Sequence, residues 1–228
     1  MAMPRAQISD GLRRSRRASS NQISPEAGRV AFEGAPITGL QPYIVARRGV
    51  VRTFQETTIF KEMTALENVV VAHHLRVRAG ALGIYFATPV ARADERRFHD
   101  HAAEILDYLG LGGVKDMPAR NLPHGYLRAL GIALAMATEP KLLLLDEPFT
   151  GMNTEEKERA VEMVRGIRER GVTVLLVEHD MPSVMRISDR IVVLNFGSKI
   201  AEGVPDQIRR DPTVIEAYLG REDEELGA

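Results

Sequence analysis

Two stretches of this chain carry side chains suited to phosphoryl chemistry. Leu142-Leu143-Leu144-Leu145 runs into Asp146-Glu147-Pro148, and Val174-Leu175-Leu176-Val177 runs into Glu178-His179-Asp180. Each is a short apolar run that ends abruptly in charged groups, as a fully buried parallel strand does when it delivers reactive side chains to the carboxyl edge of a sheet. Magnesium takes a carboxylate or its bound water, and a hydrolytic water takes a base held within reach. Asp146 and Glu147 supply that pair. His179 follows the second strand in the same position, beside Glu147 if the strands are neighbours, where it would bond a terminal phosphate and hold the attacking water. Taken singly, an acidic turn and a surface histidine account for the same residues.

Two further positions fit the same chemistry. Leu122-Pro123-His124-Gly125-Tyr126-Leu127-Arg128 puts Gly125 at a predicted helix start. Unpaired amides and the helix dipole attract phosphate there, and glycine permits close approach. An ordinary helix cap reads the same way. Gln55 follows a strand, and its amide suits a metal as well as it suits any loop. The motif G-x-x-x-x-G-K-[ST], whose backbone cradles phosphates, does not occur in these 228 residues.

These groups need a scaffold, and the pattern supplies one. Arg29 to Gly34 alternates and turns, Pro42 to Arg48 is a short helix with proline near its first turn, and Val50 to Phe54 is a strand. Thr64-Ala65-Leu66-Glu67 is a capping box opening a helix. Gly80 to Pro89 is a glycine-containing loop. Ala91 to Leu109 is helical, with Phe98, Ala102, Ile105 and Leu109 on one stripe. A turn-rich connection, Gly110 to Pro123, leads to a helix from Gly125 to Thr138. Thr154 to Arg170 is an amphipathic helix stopped by Gly171, Val172 to Glu178 a buried strand, and Met181 to Ser188 a helix. Arg190 to Glu202 reads as a hairpin about Asn195-Phe196-Gly197, and Asp211-Pro212 caps a last helix to Leu219. Strands alternating with helices give an α/β fold with a parallel sheet.

Bulk properties set limits. The chain is 44% hydrophobic and 27% charged with a formal net charge of -1, so no overall field draws it to nucleic acid or an anionic membrane. Without cysteine it has neither disulfides nor thiolate metal sites. No apolar run is long enough to span a bilayer, so a membrane role comes through a partner. Residues 1–23 stand apart: Arg5, Arg13, Arg14, Arg16 and Arg17 among serines read as an arm outside the fold.

Order and combination add a resemblance. Gln55, Leu122 to Tyr126, Leu142 to Glu147, Gly151-Met152-Asn153 and His179 come in the sequence of the Q-loop, signature, Walker B strand, D-loop and switch histidine of ATP-binding-cassette ATPases. The resemblance covers Ser24 to Leu219. Ile37-Thr38-Gly39-Leu40, Val51-Arg52-Thr53-Phe54-Gln55 and Val214-Ile215-Glu216-Ala217-Tyr218-Leu219-Gly220 are similar to the ATPase subunits of branched-chain amino acid importers. It implies a P-loop-type sheet core over 24–228, with a helical subdomain over about 56–137 and the first strands and phosphate loop missing. The implied cofactors are ATP and Mg2+. Glu147 would be the general base and His179 the phosphate-positioning group. Asp146 would hold the metal through water, with Gln55 sensing it. Leu122, His124, Gly125, Tyr126 and Asn153 would meet the nucleotide held by a partner.

The implied partners are transmembrane permease subunits, a second cassette ATPase (identical or different) and, indirectly, a solute-binding protein, with no nucleic acid. The implied place is the cytoplasmic face of the plasma membrane, held peripherally. Three departures stand out: the arginine-rich arm lies where the phosphate loop belongs, Pro123 replaces the signature serine, and Leu134 stands where the signature helix usually has arginine. In the family a strand preceding that loop is expected beside Leu142 to Leu145, so its loss leaves an unpaired apolar edge there. The departures keep a second reading open, a non-hydrolysing subunit that completes its partner's ATP site. A cassette ATPase acting on nucleic acid through the arginine arm is a third, opposed by the near-neutral charge.

Overall fold

The computed structural model describes residues 6–8 (backbone only), 28–53, 59–73 and 88–217. The chain divides into two units, Met1–Gly39 with His179–Ala228, and Leu40–Glu178.

The first unit opens with β1 (Ala6–Ile8), β2 (Val30–Phe32) and β3 (Ala35–Pro36), an antiparallel sheet in the order β1-β2-β3. Three residues of the arginine-rich arm thus pair as a strand against Val30–Phe32, and the rest of residues 1–23 lies outside the described residues.

The second unit holds α1 (Pro42–Arg47), β4 (Val50–Arg52), α2 (Ala65–Ala72), α3 (Pro89–Tyr108), α4 (His124–Met136), β5 (Leu142–Asp146), α5 (Thr154–Glu169) and β6 (Thr173–Val177). Its local signals act as they read. Thr64 Oγ1 accepts the Glu67 amide at 3.1 Å while Glu67 Oε2 accepts the Thr64 amide at 2.8 Å, which fixes the start of α2. Such a cap contributes about 1 kcal/mol. On α3, Phe98, Ala102 and Ile105 are buried, with Leu109 just beyond it. Between β4 and β5 the described elements are the helices α2, α3 and α4 and two 3-10 turns at Gly112–Val114 and Ala119–Asn121, with no strand among them. Most of the expected loop, residues 80–87, lies outside the described residues, as do Phe54 and Gln55.

The sheet of this unit is parallel in the order β4-β5-β6. Arg52 pairs with Leu144 and Asp146 with Val177, so all three strands end at one carboxyl edge, where open α/β sheets place ligands. Leu142, Leu143 and Leu145 are buried, each stabilising the fold by roughly 1.5–3 kcal/mol. The strand read as buried at Val172 to Glu178 is instead half-buried at Thr173, Val174 and Leu176 and exposed on its other side. Leu175 and Val177 are 40% and 57% exposed, although α5 packs against β6. The expected bare edge beside Leu142 to Leu145 is also corrected. β5 is central, bonded on both sides, and the edges without a described strand partner are the outer sides of β4 and β6.

The first unit resumes with α6 (Met181–Ile187), β7 (Ile191–Asn195), β8 (Ser198–Gly203) and α7 (Pro205–Arg209). β7 and β8 form the expected hairpin, turned by Phe196 and Gly197, both with positive φ (44° and 82°). That pair of angles matches a two-residue turn whose twist suits the strands. Ile191, Val193, Ala201, Ile208 and Val214 form the core of this part. Asp211 Oδ1 accepts the Thr213 amide at 2.8 Å and so caps the helical stretch at 212–217.

Candidate functional site

At the carboxyl edge of β5, Asp146 is the last strand residue. Its Oδ2 lies 2.7 Å from Arg52 Nη2 at the end of β4, with the two side chains 27% and 56% exposed. A carboxylate reachable from solvent and already matched by a cation can take a metal in the guanidinium's place. Among the described residues no three His, Asp or Glu side chains converge on one point. A magnesium site built from one or two carboxylates plus phosphate oxygens needs no such group.

Glu147 leaves the strand with φ +46°, a left-handed conformation that side chains resist. Its amide bonds the Val177 carbonyl at 2.8 Å, and its Oε2 accepts the Thr150 hydroxyl at 3.4 Å. The bent backbone turns the chain away from the sheet, so Glu147 does not continue the alternation of β5. Pro148 and the buried Phe149 follow.

The loop then reaches Gly151, φ +73°, and Asn153. Asn153 caps α5: its Oδ1 accepts the Glu156 amide, and Glu156 Oε2 accepts the Asn153 amide, both at 2.9 Å. The same Glu156 reaches the start of α4, where a Cβ built on Gly125 would stand 2.9 Å from its Oε1. The structure therefore sets the Gly125 helix start against the Asn153 cap, 28 residues on in the chain. The helix begins at His124, one residue before the predicted start, with Pro123 as an N-cap that offers no side-chain bond. His124 is exposed, and Gly125 and Tyr126 are half-buried. Leu122 is buried, so its side chain belongs to the core and only its backbone is available to a ligand. An apolar groove of about 480 Å3 runs beside this junction, with Tyr126, Ile132, Phe149, Met152 and Met163 in its walls.

Two predicted positions stand apart. Gln55 lies outside the described residues, and His179 opens the other unit as an exposed residue. β5 and β6 are neighbours, as the reading of His179 required. Within the unit of Glu147, however, the side chain that meets the post-strand loop is Glu178, whose Oε1 accepts the Phe149 amide at 2.8 Å. Sequence reasoning missed Arg52, Arg128, Glu156 and Glu178. A capping-box signal at Asn153 to Glu156 was legible. The other three act over long separations and left no local trace.

A protein-family model described as ABC transporter matches residues 17–150, and one described as Branched-chain amino acid ATP-binding cassette transporter matches residues 198–224. The chain is 45% identical over 197 residues to the high-affinity branched-chain amino acid transport ATP-binding protein BraF of Pseudomonas aeruginosa, covering 86% of this chain and 77% of that protein. It is 42% identical to LivG of Escherichia coli strain K12, a protein of the same description, with the same coverage. A crystal structure of the ADP conformation of an ATP-binding cassette of an ABC transporter superposes with a TM-score of 0.72 at 30% identity, over 87% of this chain and 79% of that one. A nucleotide-free cassette superposes with a TM-score of 0.70 at 29% identity, over 86% and 78%.

Proposed function

The chain belongs to the ABC transporter family, in its branched-chain amino acid ATP-binding cassette branch, and from that membership we propose that it is the ATP-binding subunit of an importer. Its task is to energise uptake of branched-chain amino acids or similar small solutes through a membrane permease. The observation that carries the reading is the edge just described. Asp146 and Glu147 leave a central parallel strand there, while the loop beyond them delivers Asn153 to the start of α4 at Gly125.

The residues present fit part of a magnesium–nucleotide site, because Asp146 is an accessible carboxylate that already accepts a cation. Bound MgATP supplies the transferable phosphoryl group and the metal charge. In this reading Asp146 would hold that metal through water, and Glu147 would take a proton from the attacking water at its carboxylate. Gln55 and His179 would contact the metal and the terminal phosphate. The α4 start, with Leu122 contributing backbone and His124, Gly125 and Tyr126 exposed or half-buried, would face phosphate bound by a second cassette, together with Asn153. Much of the catalysis of phosphoryl transfer is such positioning. Among the described residues no helix is long and apolar enough to cross a membrane. Attachment to the cytoplasmic face of the membrane would therefore come through the permease, with a solute-binding protein as the indirect third partner.

A second reading is favoured by one specific feature. The sequence holds no G-x-x-x-x-G-K-[ST], yet the α4 start and the Asn153 cap are both formed and lie side by side. In that case the chain completes the ATP site of a different, intact cassette and its own carboxylates contribute little. Reconstitution with a permease and an intact partner cassette tests both readings through ATP-driven leucine uptake. Uptake that proceeds equally well without this chain would exclude the two together. Glu147→Gln separates them: loss of turnover supports the hydrolysing subunit, and near-full turnover supports the completing one.

A further inference from the structure

The loop from Glu147 to Asn153 connects the carboxylate pair to the α5 cap, and one peptide group in it is held from both ends. The Pro148 carbonyl accepts from Arg128 Nη1, one turn into α4, at 3.3 Å. The amide of the same peptide, Phe149 N–H, donates to Glu178 Oε1 just past β6 at 2.8 Å. In a trans peptide the carbonyl and the N–H point in opposite directions, so the two side chains grip it from opposite edges. Proline fixes the φ before it, and the Phe149 ring behind it is buried with 1% exposure. Both bonds involve an ionisable partner, and the 2.8 Å bond from Phe149 to Glu178 has the short length of a charge-assisted one. The second Arg128 nitrogen also approaches Gly151, standing 4.0 Å from the position of a built Cβ there.

We propose that Arg128 and Glu178 are positioning residues that clamp the Pro148–Phe149 peptide and so link the α4 start to the strand end that carries Asp146 and Glu147. The proposal rests on the reading above, in which α4 and Asn153 face a partner's nucleotide while the carboxylates face this chain's own site. Neither clamp residue touches nucleotide in that arrangement. Each acts by holding one loop whose two ends serve different sites, so a displacement of α4 is felt at Glu147. The Pro148–Phe149 peptide lies between the two side chains, its carbonyl facing Arg128 and its N–H facing Glu178, and releasing either one frees it to rotate.

Hydrogen exchange at the Phe149 amide in the isolated chain reads the clamp directly and needs no nucleotide. Glu178→Ala and Arg128→Ala should each speed that exchange about tenfold or more, as loss of a charge-assisted bond implies. Glu178→Gln keeps an acceptor oxygen and should stay close to the parent. In the complex with an intact cassette, the two alanine variants should lower kcat with KM unchanged, and Glu178→Gln should restore kcat. The double alanine variant should be no slower than the slower single one, because both act on one peptide. Unchanged Phe149 exchange in Glu178→Ala, failure of Glu178→Gln to rescue, or losses that multiply in the double variant would each overturn the clamp. A wild-type complex with no ATPase activity would sink the transport reading instead, and exchange would still decide the clamp.

Discussion

Replacing Gly125 tests whether the start of α4 meets phosphate or merely packs. A Cβ at this position would stand 2.9 Å from Glu156 Oε1, closer than a Cβ tolerates, so that carboxylate would have to shift. Glu156 is not free to retreat without cost, because its other oxygen accepts the Asn153 amide at 2.9 Å. Gly125→Ala should therefore loosen one bond of the α5 cap, a loss of about 0.5–1.5 kcal/mol. Gly125→Asp adds a second carboxylate near the first. Two like charges about 4 Å apart repel by roughly 1 kcal/mol in water and 4 kcal/mol at an effective dielectric of 20. The half-exposed site favours the lower figure, and an acid in the first turn of α4 recovers about 0.3–1 kcal/mol from the helix dipole. Urea unfolding of the isolated chain should thus rank wild type above alanine, with aspartate lowest. ATPase activity of the complex with an intact cassette should be abolished by aspartate, whose charge would oppose the phosphates. The decisive variant is Gly125→Asp with Glu156→Gln, which removes the repulsion and leaves the new carboxylate facing the phosphates. It should regain stability and stay inactive. Recovery of ATPase in that double variant would refute the reasoning, because the damage would then lie in the cap.

Two other outcomes follow from single features. Glu147→Gly removes a left-handed strain worth about 1–2 kcal/mol per residue and adds a chain-entropy cost of roughly 0.5–1 kcal/mol. A modest gain in unfolding free energy is expected, measured in urea; a loss above about 1 kcal/mol would show that the Glu147 side chain holds the turn. His73 is buried, its Nδ1 bonds the Val69 carbonyl and its Nε2 meets His101 Nδ1, both at 2.9 Å. Burial first, then the neighbouring His101, hold its pKa below the ordinary 6.5, against an opposing pull from the Val69 carbonyl and Glu139. The neutral ring is the folded form, so its stabilisation is complete above 6.5 and is lost as pH falls from there through the lowered folded value. The thermal midpoint should drop across that window, and His73→Gln should flatten the drop; an equal slope in the variant would assign the acid sensitivity elsewhere.

The sequence by itself determined whatever depends on neighbours along the chain. The Thr64–Glu67 box, the Phe98 stripe of α3, the β7–β8 turn at Phe196-Gly197 and the strand running into Asp146-Glu147 are set by capping, periodicity and turn geometry. Each of these acts within a few residues, so each leaves a readable pattern. The order of Leu122 to Tyr126, Asp146-Glu147 and Asn153 was also enough to indicate the family that the comparisons establish.

Tertiary structure decided which of these residues meet. Arg52 pairs with Asp146 across 94 positions of chain, Glu178 reaches Phe149 across 29, and Arg128 reaches Pro148 across 20. No local rule encodes such contacts, because they follow from strand register and from the angle at which a helix crosses a loop. The exposure of Leu175 and Val177 is of the same kind. An apolar run reads alike in a strand covered on both faces and in one covered on a single face, and only the packing around β6 separates the two.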